Sequence, residues 1–82
     1  MYKISVAMKN TDANEIELNK LAYSLERHFE VMELHECDCK TMRGGNLLVM
    51  IIENIYKDDT YAILALIDRL IDYDEIKIGR PH

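Results

Sequence analysis

Between a Gly44-Gly45-Asn46 turn signal and Lys57 lies the run Leu47-Leu48-Val49-Met50-Ile51-Ile52-Glu53-Asn54-Ile55-Tyr56, and no other stretch restricts the fold so strongly. As a strand it carries large aliphatics at Leu47, Val49 and Ile51 and equally at Leu48, Met50 and Ile52, so both of its faces are apolar and both need cover. Helices elsewhere in the chain can supply one cover. The other is left open. A rival reading coils residues 46 to 54 into a helix, because a short apolar run does not separate strand from helix by period alone.

The rest of the chain is organised around that run. Tyr2 to Met8 alternates, with Tyr2, Ile4, Val6 and Met8 on one face and Lys3, Ser5, Ala7 and Lys9 on the other, which predicts a half-buried strand. Ser5 and Ala7 are small, so the outer face of this strand is a shallow trough. Asn10 to Asn14 is a turn, and Asp12 followed by Glu15 has capping-box spacing, which starts a helix there. Its apolar stripe is Leu18, Leu21, Ala22, Leu25 and Phe29.

Val31 to Met42 mixes apolar and charged residues in the manner of an edge strand, where charge discourages pairing with stray chains. Arg43-Gly44-Gly45-Asn46 then closes a hairpin onto the central run. Lys57 to Thr60 breaks the strand pattern, and Asp58 or Asp59 is placed to cap a second helix ending near Asp72. Its expected core stripe is Ile63, Leu64, Ile67, Leu70 and Ile71, widened by Ala62, Leu66 and Tyr73. Glu75 to Ile78 alternates as a short last strand, and Gly79 to His82 reads as a tail.

The predicted order is strand, helix, strand, strand, helix, strand. Two right-handed strand–helix–strand crossovers joined by a hairpin give a ferredoxin-like α+β fold, a two-layer βαββαβ sandwich. Its four-stranded antiparallel sheet has the order 4-1-3-2, with both helices on one face. At 82 residues this is one domain, large enough for a single core.

Composition narrows the function classes. Ten Lys and Arg against 15 Asp and Glu give a formal charge of -5, which argues against general affinity for nucleic acid or an anionic membrane. An RNA-binding sheet of this kind displays aromatics among basic residues, whereas the outer face of the first strand offers Lys3, Ser5, Ala7 and Lys9. Mimicry of a nucleic-acid backbone is also disfavoured, because the acids are interleaved with lysines and arginines. No stretch reaches the roughly 18 apolar residues of a membrane span, and the first residues lack a secretory-signal plan, so the expected location is cytoplasmic.

The residues offer little catalytic equipment. His35-Glu36-Cys37-Asp38-Cys39 puts an imidazole and two thiols on alternate positions, but structural zinc takes four donors and no second pair follows. Reactive thiolates need positive surroundings, and Glu33, Glu36 and Asp38 supply the opposite. On a strand the two thiols sit about 7 Å apart, too far for an easy disulfide. His28 suits a helix C-terminus, and His82 belongs to the tail. Gly44-Gly45 lies between strands, not in a phosphate loop. The acidic pairs have no EF-hand spacing. No metal and no cofactor are expected, and no enzyme.

What is expected is a non-catalytic protein–protein interaction module that self-associates, as a homodimer or larger homo-oligomer, through the sheet face. It would act as a regulator, adaptor or inhibitor of a larger protein. The interface candidates are Ser5, Ala7, Leu47, Leu48, Val49, Met50, Ile51, Ile52 and Leu66. Size and acidity are those common among phage and mobile-element proteins that act on host machines. The alternative is a small-ligand regulatory domain of the amino-acid-sensing ferredoxin-like type, with Asn10, Thr11, Asp12 and Asn14 holding an effector. That loop lacks the glycine such modules commonly carry there.

Overall fold

The structure is a computed structural model that describes residues 1–80. The elements run β1 (Tyr2–Lys9), α1 (Asp12–Val31), β2 (Asp38–Gly44), β3 (Leu47–Ile55), α2 (Lys57–Leu70) and β4 (Glu75–Gly79). The sheet is antiparallel in the order β2-β3-β1-β4, the expected ferredoxin-like order written from its other edge. Residues 47 to 55 are a strand, so the helical reading of that run falls. Pro81 and His82 lie outside the described residues.

One core holds the two layers together. Ile4, Val6 and Met8 from β1 and Leu48, Met50, Ile52 and Ile55 from β3 meet Leu18, Leu21, Leu25 and Phe29 of α1 and Ile63 and Ile67 of α2. Both helices therefore cover the same face of the sheet. Most of these side chains are wholly withdrawn from water, each worth about 1.5–3 kcal/mol relative to an exposed position.

Two residues in β3 defeat simple alternation. Tyr2 pairs with Ile55 and Ile4 with Ile52, so β3 spends three steps where β1 spends two. The extra residue is a β-bulge. Asn54 sits there with φ 62, a left-handed conformation that Asn tolerates better than most residues. The bulge is what lets Ile52 and Ile55, three apart, both face the core.

Several expected boundaries shift. Helix α1 is capped by Thr11, whose Oγ1 accepts from the Asn14 amide at 3.1 Å, while Asp12 lies inside the first turn. Glu15 does not close a capping box but ion-pairs with Arg43 on β2. At its other end α1 runs through Val31, and the strand expected from Val31 begins only at Asp38. The chain is turned there by two reverse hydrogen bonds, Glu33 N–H to the Glu30 carbonyl and Leu34 N–H to the Phe29 carbonyl. This Schellman arrangement tucks Leu34 against the core.

Helix α2 begins at Lys57, directly after Tyr56, with no side-chain cap, so neither Asp58 nor Asp59 has the expected capping role. Both carboxylates instead face the helix's positive end from the first turn. The helix stops at Leu70, which is exposed; Thr60, Ile63 and Ile67 face the core, Ile71 just past the helix end is buried with them as expected, and Leu64 packs at the edge. Thr60 is tolerated there because its hydroxyl donates to the Tyr56 carbonyl at 3.3 Å. Between β2 and β3 the turn is two residues, Gly45 and Asn46, with Gly45 at φ 59, the type II′ pattern.

Candidate functional site

The strand registers place every outward side chain of the sheet. Across one row lie Met42, Val49, Ala7 and Glu75; across the next, Lys40, Ile51, Ser5 and Lys77. Leu47 and Lys9 pair at one end of these rows, and Asp38 and Glu53 pair at the other, beside Lys3. The centre of the open face is thus an apolar ridge, Leu47-Val49-Ile51, flanked by Met42 on one side and by the Ser5-Ala7 trough on the other. Leu47 is 47% and Met42 51% exposed, and Val49 and Ile51 are half-buried. Because both helices pack on the opposite face, no segment among the described residues lies over the ridge.

Of the interface residues expected from sequence, Ser5, Ala7, Leu47, Val49 and Ile51 come together on this face. Leu48, Met50 and Ile52 do not. They are 0% exposed and point into the helix-covered core, as the two-residue period of a strand requires when odd positions face out. Leu66 is also displaced: it rides on α2, partly packed against the core on the far side of the sheet. Met42 belongs to the patch and was missed. Its position three residues before the turn glycine Gly45, opposite Val49, would have revealed it once the register was known.

The β1–α1 loop is arranged to hold itself together. The Asn10 amide N–H donates to the Asn46 carbonyl at 2.8 Å and its side-chain amide to the Gly45 carbonyl at 3.2 Å, tying this loop to the β2–β3 hairpin. Asn14 Nδ2 donates to the Lys9 carbonyl at 2.8 Å, and the Thr11 hydroxyl caps α1. Three of the four residues expected to bind an effector, Asn10, Thr11 and Asn14, are therefore engaged with backbone, while Asp12 sits in the first turn of α1. A groove of about 310 Å³ passes Asn14, lined by three carboxylates, Glu17, Asp68 and Asp72, against one cation, Arg69, a net negative balance unfavourable for a carboxylate ligand.

The thiols part company. Cys37 lies in the loop before β2, where its Sγ donates to the Asn54 carbonyl at 3.4 Å. Cys39 lies on β2 opposite Ile52, on the helix-covered face. Burial, reinforced by Glu26 and Asp38, pushes the Cys39 thiol up to about 11. Burial, with Asp59 and Glu36, also raises that of Cys37. Both are held as thiols at neutral pH. His35 is exposed, and among the described residues no three His, Cys, Asp or Glu side chains converge on a metal-sized site.

No protein-family model and no curated protein matches the chain. Among solved structures it is similar to a de novo designed protein, Ferredog-Diesel, with a TM-score of 0.58 over 96% of this chain and 83% of that one. The two are 16% identical, so the likeness concerns the fold alone. It supports the ferredoxin-like assignment made from the strand order. Among the described residues, no helix is long and apolar enough to cross a membrane.

Proposed function

We propose that this protein is a small non-catalytic interaction module that self-associates through its open sheet face and regulates, adapts or inhibits a larger protein. The observation that carries the reading is the uncovered ridge of Leu47, Val49 and Ile51 with Met42 beside it. A contiguous row of large aliphatics on a central strand, rimmed by Lys3, Lys9, Lys40, Glu53 and Lys77, has the apolar centre and polar border of an association surface. The self-engaged amides of the β1–α1 loop favour this reading over effector binding. Thiols kept protonated by burial and neighbouring carboxylates favour it over nucleophilic chemistry. Two free cysteines suit work in the reducing cytoplasm.

Sedimentation equilibrium tests it. The wild-type chain is expected to be dimeric or larger at micromolar concentration, and Ile51→Lys monomeric with an unchanged far-ultraviolet spectrum. A wild-type chain that sediments as a monomer up to about 100 μM, where only interactions weaker than roughly 5 kcal/mol go undetected, would end this reading.

A further inference from the structure

The open face has the shape of a ridge laid beside a trough. On β3 the outward side chains are Leu47, Val49 and Ile51; on the adjacent β1 they are Lys9, Ala7 and Ser5, paired with them one to one. Two copies facing each other through a two-fold axis that runs parallel to the strands, between β1 and β3, would set Val49 over the partner's Ala7 and Ile51 over the partner's Ser5. Val49 and Ile51 of each ridge then enter the other's Ser5–Ala7 trough, with Leu47 against the aliphatic stem of the partner's Lys9, and the sheets can approach to the roughly 10 Å of a packed sandwich. An axis along β3 itself would instead stack ridge on ridge and hold the sheets apart.

Charge favours the same axis. Among the described residues neither Lys3 nor Glu53 has an ion-pair partner, although both sit at the same end of the two central strands. The axis between β1 and β3 lays Glu53 of one copy over Lys3 of the other, twice. It also lays Lys40 toward the partner's Lys77 at the outer columns. Each of those lysines has a carboxylate beside it on its own strand, Asp38 at 4.0 Å from Lys40 and Glu75 at 3.3 Å from Lys77, which offsets part of that like-charge approach.

Resting on the self-association proposed above, the geometry points to a specific partner and pose: a second copy of this chain, sheet face to sheet face, with β3 of each seated on β1 of the other and Lys3–Glu53 pairs closing one end. Ala7 is then a specificity residue, since only a small side chain leaves the trough open. Bound in this way, the dimer leaves both helix layers outward for whatever larger protein it meets.

The test compares dimer dissociation constants, by sedimentation or dilution calorimetry, for wild type, Ala7→Leu, Lys3→Glu, Glu53→Lys and the double charge swap. Ala7→Leu adds apolar surface to the face, so any looser hydrophobic association would tighten. The seated pose expects it to weaken roughly a hundredfold, because two troughs are filled at once. Each single charge reversal should weaken the dimer about tenfold and the double swap restore it to within about threefold of wild type, with the difference shrinking as salt is raised. A dimer that Ala7→Leu leaves intact or tightens, or a double swap as weak as the singles, overturns this pose while leaving sheet-face association standing. A monomeric wild type removes both. Circular dichroism of each variant keeps a folding defect from being mistaken for lost affinity.

Discussion

Glu33 is the residue most at odds with its backbone. It occupies φ 57 in the position after the α1 C-cap where glycine is the usual choice, and it also brings a carboxylate to the negative end of a helix. Both costs vanish in Glu33→Gly, which is expected to raise stability by about 1 kcal/mol and the melting temperature by roughly 4–8 °C, read by thermal and urea unfolding. Cys39 makes a second prediction. Its proton affinity is raised by folding, from 9.0 to about 11, so above the unfolded-state value the unfolded chain binds fewer protons and stability falls as pH rises. The urea midpoint should therefore be flat to about pH 8.5 and drop toward pH 11, with a shallower drop in Cys39→Ala. The acidic neighbour of Cys39, Asp38, was legible in the sequence, but neither the burial that chiefly raises its thiol nor the backbone of Glu33 was. A glutamate in a left-handed turn looks like any charged loop residue, and the capping-box spacing of Asp12 and Glu15 pointed one residue past the true cap, which the extended backbone and hydroxyl of Thr11 provide.

Among the elements, β1 and the core stripe of α1 were readable because a regular period leaves one consistent face: Ile4, Val6 and Met8 alternate, and Leu18, Leu21, Leu25 and Phe29 repeat at helical spacing. The reading failed where the period breaks. Val31 to Cys37 mixes apolar and charged residues as an edge strand does, yet the first of these residues ends a helix and the rest form a loop anchored by Leu34. In β3, an asparagine inside an apolar run was the one visible sign of a bulge, and it resets the inward face from Ile52 to Ile55. This gives a prediction for the element. Asn54→Gly should be tolerated to within about 0.5 kcal/mol, whereas Asn54→Val, a β-branched residue forced to positive φ, should cost about 1–2 kcal/mol or more, measured as a shift in the urea midpoint at constant slope.

For the whole molecule, the doubly apolar central strand made both the layering and the open face legible, while the division of its residues between core and surface waited on the register. Alternation demanded that three of Leu47 to Ile52 be core; only the pairing of Val6 with Met50 and of Ala7 with Val49 fixes which three. The consequence is a sharp asymmetry between neighbours. Ile52→Lys buries a charge among Ile4, Cys39 and the helices and should leave the chain unfolded, since an 82-residue domain has little stability to lose. Ile51→Lys, one residue earlier on the other face, should fold with a monomer stability within about 1 kcal/mol of wild type. If the open face joins two copies, wild-type stability contains an association contribution, and its melting temperature should climb as protein concentration is raised a hundredfold. The melting temperature of Ile51→Lys should stay fixed over the same range. Parallel scans of the two proteins separate a sheet that is half of an interface from one that simply tolerates water, because only the former links thermal stability to concentration.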